Sequence, residues 1–338
     1  MIQYHINILS VHMVQFYENP GASRQLTYID LYTNFQLDNH VVLLNLKTEK
    51  MKCLILKLPV LLFALLLVSW GCTSEPVTMA TSADGVEISF SNQGSGDACI
   101  LLVHGWTNNN TIWDLQVPVL SEKYQVVAID LAGHGKSGND RSQWTMSAFG
   151  EDIAAVVHAA KLKNVVLVGF SMGGPAIVEA AKLLPDQVLG LILADAINNP
   201  EAKIPPPMID WVDSTFMDLI EYPTAEKAVR LGFFVNNPDE AMAKVQTMFD
   251  RDQTGWNDML LENFRWSNED CIASFEALEL PVISINPEHS PAAVDVFKKY
   301  VPSFETKILS GTGHVMMWDV TDDFNQALEE SIQTILNP

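Results

Sequence analysis

Short apolar segments alternate with segments of helical periodicity over most of the chain. Three of the apolar segments are continuous and rich in β-branched residues, namely 99–105, 125–130 and 164–170. This composition is expected for strands buried on both faces of a sheet. Three further segments complete this set: 190–195, 281–286 and 304–311. A segment at 86–94 alternates apolar and polar positions, which is typical of an outer antiparallel strand. Apolar residues recur at helical spacing in the intervening segments: 147–160, 172–184 and 322–336. The alternation predicts a doubly wound α/β fold, with a parallel sheet and helices on both faces.

The interval from about residue 198 to 270 breaks this alternation. It contains no pattern typical of a strand, and it holds five of the 13 Met, three of the eight Trp and five of the 15 Phe residues. We interpret it as a helical insertion after the sixth strand of the sheet. The Met and Trp residues are expected either to form the core of a small helical layer or to line a substrate pocket, and the pattern leaves both alternatives open.

Residues 51–71 have the pattern of an export signal. Two lysines precede an apolar run of 11 residues at 58–68. A membrane-spanning helix needs about 17–25 apolar residues, so this run is short for an anchor. Because an export signal stands at the N-terminus, the pattern predicts that translation starts at Met51 and that residues 1–50 are a mis-called upstream extension. The alternative is a genuine tail that precedes a membrane-anchoring segment.

The junction between Gly71 and Cys72 resembles the lipobox of bacterial lipoproteins, in which the cysteine is lipidated and becomes the first residue. The pattern departs from the usual one at Ser69 and Trp70, where these proteins usually carry Leu and a small residue. The resemblance implies an exported protein held at a bacterial membrane, on the periplasmic or cell-surface side, only by acyl chains on Cys72. The alternative is an ordinary secretory signal with an incidental cysteine.

Composition narrows the function classes for the remainder, 72–338, which is expected to form one globular domain. Over the whole chain, Asp and Glu number 41 against 20 Lys and Arg, a net charge of −21, and without residues 1–71, which carry +1, the remainder has −22. An acidic surface repels phosphate backbones, so nucleic-acid binding is not expected. Four cysteines are too few for a disulfide-framed mini-protein and are not spaced as in a zinc site. The oligomeric state stays open.

Residues 169–173 read GFSMG, a G-x-S-x-G motif between a predicted strand and a predicted helix. A serine on such a sharp turn projects its hydroxyl above the sheet, and side chains two residues away on either side would collide. The helix that follows directs backbone N–H groups at any negative charge that develops there. The pattern therefore predicts that Ser171 is a nucleophile.

Three further motifs stand after predicted strands. They are HGW at 104–106, DLAGHGKS at 130–137 and GTGH at 311–314. Together with GFSMGG, and in this order, they resemble the α/β-hydrolase superfamily over residues 77–338, specifically its capped, esterase-like members. The resemblance implies an eight-stranded, mostly parallel sheet with a helical cap inserted between strands six and seven. It also implies serine–histidine–acid chemistry without a metal or an organic cofactor.

The resemblance also implies the role of each site residue. Ser171 is the nucleophile, His314 is the general base, and the backbone N–H groups of Trp106 and Met172 form the oxyanion hole. The expected reaction is cleavage of a small or acyl-chain carboxylic ester, or a related acyl bond, through an acyl-enzyme, with a small-molecule acyl compound as the substrate. Two alternatives stay open: a carbon–carbon bond hydrolase or lyase with the same triad, and a receptor-like ligand binder with little turnover.

The acid of the triad is the ambiguous position. Most members of the superfamily place an Asp after the seventh strand, in a register that falls on Ser290 when counted from Pro281. No carboxylate stands there, and Glu288 lies two residues early. Other members carry the acid after the sixth strand, where this chain has Asp195. We therefore favour Asp195 as the acid, with Glu288 as the alternative.

Overall fold

One eight-stranded sheet organises the chain from Thr78 onward. Its strands are, in chain order, β1 (Thr78–Thr81), β2 (Glu87–Gly94), β3 (Cys99–Val103), β4 (Gln125–Ile129), β5 (Val165–Phe170), β6 (Val188–Ala194), β7 (Val282–Pro287) and β8 (Glu305–Leu309). The computed structural model describes residues 35–37, 40–42, 78–221, 224, 227, 229, 231–236, 243, 246 and 253–337.

The strand order across the sheet is β8-β7-β6-β5-β3-β4-β2-β1. The pairs β1–β2 and β2–β4 are antiparallel, whereas the strands from β3 to β8 pair in parallel. The expected eight-stranded, mostly parallel sheet is thereby confirmed. The hydrophobic pattern does not predict β1, because only one of its four residues is buried and a strand that short has almost no periodicity.

The central strands explain the continuous apolar segments of the sequence. Every residue of β3 and of β5 is buried, as expected for parallel strands covered on both faces. In contrast, β8 at the edge of the sheet has no fully buried residue. The core of the domain therefore lies on both sides of the central strands, and the loops at their carboxyl ends are held by rigid elements.

The helices occupy the intervals between strands. They are α1 (Val117–Leu120), α2 (Met146–Ala159), α3 (Gly173–Leu183), α4 (Pro206–Glu221), α5 (Trp256–Glu269), α6 (Cys271–Glu276), α7 (Val294–Phe297), α8 (Met316–Asp319) and α9 (Thr321–Leu336), with a 3₁₀ turn at Asn110–Trp113. Helix α2 packs against α3, and α9 packs against β6 and β7. The start of α2 is capped by Thr145, whose Oγ1 accepts a hydrogen bond from the Ala148 N–H at 3.1 Å.

Helices α4, α5 and α6 lie between β6 and β7, and we call them, together with residues 231–236, the cap. The cap is joined to α3 by a buried carboxylate, that of Glu179. This group accepts hydrogen bonds from the Trp266 indole, the Ser274 hydroxyl and the Lys182 ammonium, each at 2.8 Å. A second link is the indole of Trp106, which donates to the carbonyl of Trp256 at 2.7 Å.

A separate unit comprises the residues before Pro76. Within it, Phe35–Leu37 pairs antiparallel with His40–Val42. The predicted export signal at 51–71 and the predicted lipidation site at Cys72 lie outside the described residues. In the part of the chain that is described, no helix combines the length and the apolar character that crossing a membrane requires.

Candidate active site

Ser171 stands on a strained turn at the carboxyl end of β5. Its backbone is left-handed, with φ +52°, a conformation that costs about 1–3 kcal/mol in a non-glycine residue and clusters at functional sites. The surrounding structure holds it there: the Ser171 N–H donates to the Ala194 carbonyl at 3.1 Å, and the Ser171 carbonyl accepts from the Gly174 N–H at 2.9 Å. Helix α3 begins two residues later, at Gly173.

The glycines on either side of this turn leave no room for a side chain. A Cβ at Gly169 would lie 2.4 Å from the Gly173 carbonyl oxygen. A Cβ at Gly173 would lie 2.7 Å from the carbonyl oxygens of both Val103 and His104. These approaches are far shorter than van der Waals contact, which is the physical reason for glycine at both positions of the G-x-S-x-G motif.

Asp195 and His314 form the central contact of the site. The Nδ1 atom of His314 lies 2.6 Å from Oδ2 of Asp195. Asp195 directly follows β6, is 9% exposed, and has a left-handed backbone with φ +40°. Its N–H donates to the Ile285 carbonyl of the neighbouring strand at 2.9 Å. A buried carboxylate on a rigid strand end is thus aimed at the imidazole, an arrangement that fixes the tautomer and stabilises the protonated ring.

Glu288, the alternative acid, lies elsewhere. Its side chain is exposed, and its carboxylate faces the Gly311 N–H at 3.4 Å. Ser290, in the register where most members of the superfamily carry the acid, accepts a hydrogen bond from the Asn198 side-chain amide at 2.5 Å. The structure therefore brings Asp195, and not Glu288, to His314.

The two residues predicted to form the oxyanion hole line the same cavity as Ser171. Among the described residues, the backbone N–H groups of Trp106 and Met172 donate to no protein acceptor. The loop after Trp106 is held in an unusual form, since Thr107 has φ +63° and its N–H donates to the His134 ring at 3.2 Å. The His104 ring also bonds to the backbone of a neighbouring loop: it is fully buried, and its Nε2 accepts a hydrogen bond from the Leu131 N–H at 3.0 Å.

A cavity of about 160 Å³ connects Ser171 and His314 with the cap. Six aromatic side chains line it: Trp106, Phe170, Phe216, Phe233, Phe234 and Phe264. Among the described residues, its polar lining consists of Ser171, His314, Thr107, Asn108 and Asn263, and none of the described lining residues is Asp, Glu, Lys or Arg. The described lining is thus suited to an uncharged, apolar group placed next to the Ser171 hydroxyl.

None of the described Met and Trp residues of the cap lines this cavity. Trp256 and Trp266 are 1% exposed and belong to the core. In contrast, Phe216, Phe233 and Phe264 line the cavity. Sequence periodicity does not separate these groups, because both consist of large apolar residues and α5 carries members of each, Trp256 and Trp266 as well as Phe264.

The buried carboxylate of Glu179 is the clearest electrostatic feature of the contact between α3 and the cap. Burial alone raises its pKa, but hydrogen bonds from Lys182, Trp266 and Ser274 outweigh that effect, and the pKa lies below the ordinary value of 4.5. The group therefore carries its negative charge at neutral pH. In the described part of the chain, no group of three or more His, Cys, Asp or Glu side chains is placed to hold a metal ion.

Comparison with known families decides the classification. Residues 100–327, more than half of the chain, match the model of the alpha/beta hydrolase family. The chain belongs to the alpha/beta hydrolase family. The order of the strands, the strained serine turn and the Asp195–His314 pair agree with this membership.

Individual relatives resemble shorter parts of this alpha/beta hydrolase. An uncharacterized protein of Mycobacterium tuberculosis is 32% identical over 123 residues, which are 36% of this chain and 36% of that protein. A bifunctional esterase/perhydrolase of Acinetobacter calcoaceticus is 34% identical over 120 residues, which are 35% of this chain and 44% of that protein. The matches thus span less than half of either relative.

Solved structures resemble the fold over a longer stretch. An esterase from Exiguobacterium antarcticum superposes with a TM-score of 0.66, at 23% identity, over 76% of this chain and 99% of that one. At this identity the likeness concerns the fold alone.

Proposed function

We propose that the protein is a serine hydrolase that cleaves small carboxylic esters through an acyl-enzyme. The observation that carries this proposal is the 2.6 Å contact between His314 Nδ1 and Asp195 Oδ2, with Ser171 on its strained turn in the same cavity as the imidazole. A buried acid that holds one ring nitrogen leaves the other free to act as a base toward a serine.

In the first half of the reaction, the Ser171 hydroxyl oxygen attacks the ester carbonyl carbon, and His314 Nε2 takes the hydroxyl proton. The carbonyl oxygen becomes an oxyanion, which the N–H groups of Trp106 and Met172 stabilise. Each such donor contributes about 10²–10³ in rate in measured cases. The carbon–oxygen bond to the leaving group then breaks, and His314 returns the proton to the departing alcohol.

In the second half, water replaces the serine. His314 takes a proton from the water as its oxygen attacks the acyl carbon, and the same N–H groups hold the second oxyanion. Collapse of this intermediate breaks the bond to Ser171, which recovers its proton from His314, and the acid leaves. Asp195 stays ionised throughout and stabilises the imidazolium each time it forms.

The cavity supports a small, uncharged acyl group as the substrate. Its volume of about 160 Å³ is close to the roughly 150 Å³ of an apolar cavity that accepts benzene. The described part of its lining has no ionic side chain, which disfavours acyl groups that carry a charge, because a buried, unpaired charge is costly. We therefore expect acetyl, butyryl and benzoyl esters to be accepted, and dodecanoyl esters to be poor substrates.

The test combines an ester series with a covalent probe. Purified protein is given p-nitrophenyl acetate, butyrate, benzoate and dodecanoate, and separately a fluorophosphonate, with Ser171→Ala as the matched control. The proposal predicts labelling of the wild type, turnover of the three smaller esters, and neither in the variant. Labelling without turnover of any ester would instead favour a receptor or a different bond chemistry.

We also propose that the protein is exported and anchored by acyl chains on Cys72. The support is the short apolar run before the Gly71–Cys72 junction. Cys72→Ser should move the protein from the membrane fraction to the soluble fraction. An intact mass of native protein that still includes residues 1–50 would contradict a start at Met51.

A further inference from the structure

The carboxylate of Asp319 lies where the cap meets the loop that carries His314. One of its oxygens, Oδ2, accepts hydrogen bonds from the Gly313 N–H at 2.7 Å and the Val235 N–H at 2.9 Å. The other, Oδ1, accepts from the Asn236 N–H at 2.6 Å. Asp319 itself is the last residue of α8. A single side chain thus joins the cap to the residue next to His314.

The backbones on either side of this carboxylate are also bonded to each other. The His314 N–H donates to the Gly232 carbonyl at 2.7 Å, and the Val315 N–H donates to the Phe233 carbonyl at 3.0 Å. The Asn236 side-chain amide donates to the Gly311 carbonyl at 3.0 Å. Residues 231–236 of the cap and residues 311–315 therefore form one hydrogen-bonded unit.

The close approach of the two segments depends on Gly313. A Cβ at this position would lie 2.6 Å from the carbonyl oxygens of both Gly232 and Phe233. The same segment of the cap also contacts the imidazole, since the ring of Phe233 lies edge-on to His314 at 5.7 Å between centroids. Residues 231–236 thus hold the backbone of His314 and touch its side chain.

We propose that Asp319 is a positioning residue, which holds the His314 imidazole against Asp195 by binding the cap to the His314 loop. Loops need such external contacts to keep a catalytic side chain in place, and a misplacement of about 1 Å costs on the order of 100-fold in rate. The proposal rests on the proposed serine hydrolase function. One consequence is that residues 231–236 of the cap do not move away from His314 when substrate enters. Substrate entry must therefore depend on other elements of the cap.

Two variants break this contact in different ways. Asp319→Asn keeps the size of the side chain but places an amide NH₂ toward backbone donors and removes a charge. Gly313→Ala leaves the charge unchanged and forces residues 231–236 away from the loop. Asp323→Asn is the matched control for loss of charge, because Asp323 is exposed on α9 and none of its hydrogen bonds in the described structure reaches the loop.

The rate is measured per active site, after titration with a fluorophosphonate, so that loss of folded protein does not count as loss of rate. For Asp319→Asn and for Gly313→Ala we expect kcat for p-nitrophenyl butyrate to fall about 10- to 100-fold. We also expect the acidic limb of the kcat/KM pH profile, along which activity rises as the general base loses its proton, to shift to lower pH, because a weaker contact with Asp195 stabilises the imidazolium less. The double variant should be little worse than the worse single variant, since both changes break one contact.

Asp319→Asn with a normal rate per titrated site and an unchanged pH profile would overturn the proposal, even if its melting temperature fell. Additive losses in the double variant would overturn it as well. Failure of the wild type to be labelled or to turn over esters is a different result, since it contradicts the serine hydrolase function and not the role of Asp319.

Discussion

The two walls of the cavity are built in different ways. On the sheet side, Ser171 and Asp195 directly follow buried strands, and both have left-handed backbones. On the cap side, α4 contributes side chains such as Phe216 while it leaves Trp211 60% exposed. Backbone geometry thus holds the reacting groups, whereas side-chain packing shapes the space around them. Changes on the sheet side should therefore lower the rate for every substrate, and changes to α4 should alter which substrate is preferred.

The largest effect is expected at the nucleophile and the base. Ser171→Ala and His314→Ala should each lower kcat by on the order of 10⁶, as for the equivalent groups of a measured serine protease. The double variant should be no worse than either single one, because the two residues act as a unit. Steady-state hydrolysis of p-nitrophenyl acetate measures this, and clearly additive losses would mean that the two residues do not share a mechanism.

The next largest effect separates the two candidate acids. Asp195→Asn should lower kcat on the order of 10⁴, because the imidazole loses the group that fixes its tautomer. Glu288→Gln should leave kcat close to that of the wild type, since this side chain is exposed and faces Gly311. The two variants are assayed side by side with the same ester. A large fall of kcat in Glu288→Gln, together with near-normal kcat in Asp195→Asn, would overturn the assignment of Asp195 as the acid.

A smaller effect, on preference and not on overall rate, is expected on the cap side. Phe216→Ala enlarges the cavity, so the ratio of kcat/KM for p-nitrophenyl hexanoate to that for the acetate should rise about 10-fold. Trp211→Ala on the same helix is the matched control, because Trp211 is largely exposed and does not line the cavity. An equal fall for both esters in Phe216→Ala would mean that α4 also positions the reacting groups.

The smallest effect concerns the contact between the cap and α3. The pKa of Glu179 is lower in the folded protein than its ordinary 4.5, so its ionised form adds stability above about pH 4.5, which is lost as the pH falls below that value. Glu179→Gln should lower the free energy of unfolding by about 1–3 kcal/mol at pH 7. Urea unfolding of both proteins at pH 7 and pH 4 measures this. If the difference in the free energy of unfolding between wild type and Glu179→Gln is no smaller at pH 4 than at pH 7, Glu179 is not ionised as described.

The sequence predicts the sheet side well because its signals are local. The apolar run at 164–170 corresponds to β5, and the glycines of the serine motif stand where the structure has no space for a Cβ. The apolar segment that Asp195 ends suffices to place this residue at a strand end, whereas its assignment as the acid, over Glu288, comes from the resemblance to the superfamily.

The sequence predicts much less about the contacts that the cap makes. The place of Asp319 depends on hydrogen bonds to residues 235 and 236, more than 80 positions away, which no spacing rule can indicate. Similarly, the difference between the buried Trp256 and the cavity-lining Phe216 depends on how α4 and α5 are rotated against the sheet. Short β1 is missed for a simpler reason, since its four residues carry too little pattern.

The most direct test of the proposed chemistry is to find the acyl group on the protein. Wild type is mixed with p-nitrophenyl butyrate, quenched in acid within the first turnover, digested and analysed by mass spectrometry. We predict a butyryl increment on the peptide that carries Ser171, and no increment in Ser171→Ala. A butyryl group on another residue, or turnover of the ester by Ser171→Ala at the wild-type rate, would contradict the acyl-enzyme mechanism.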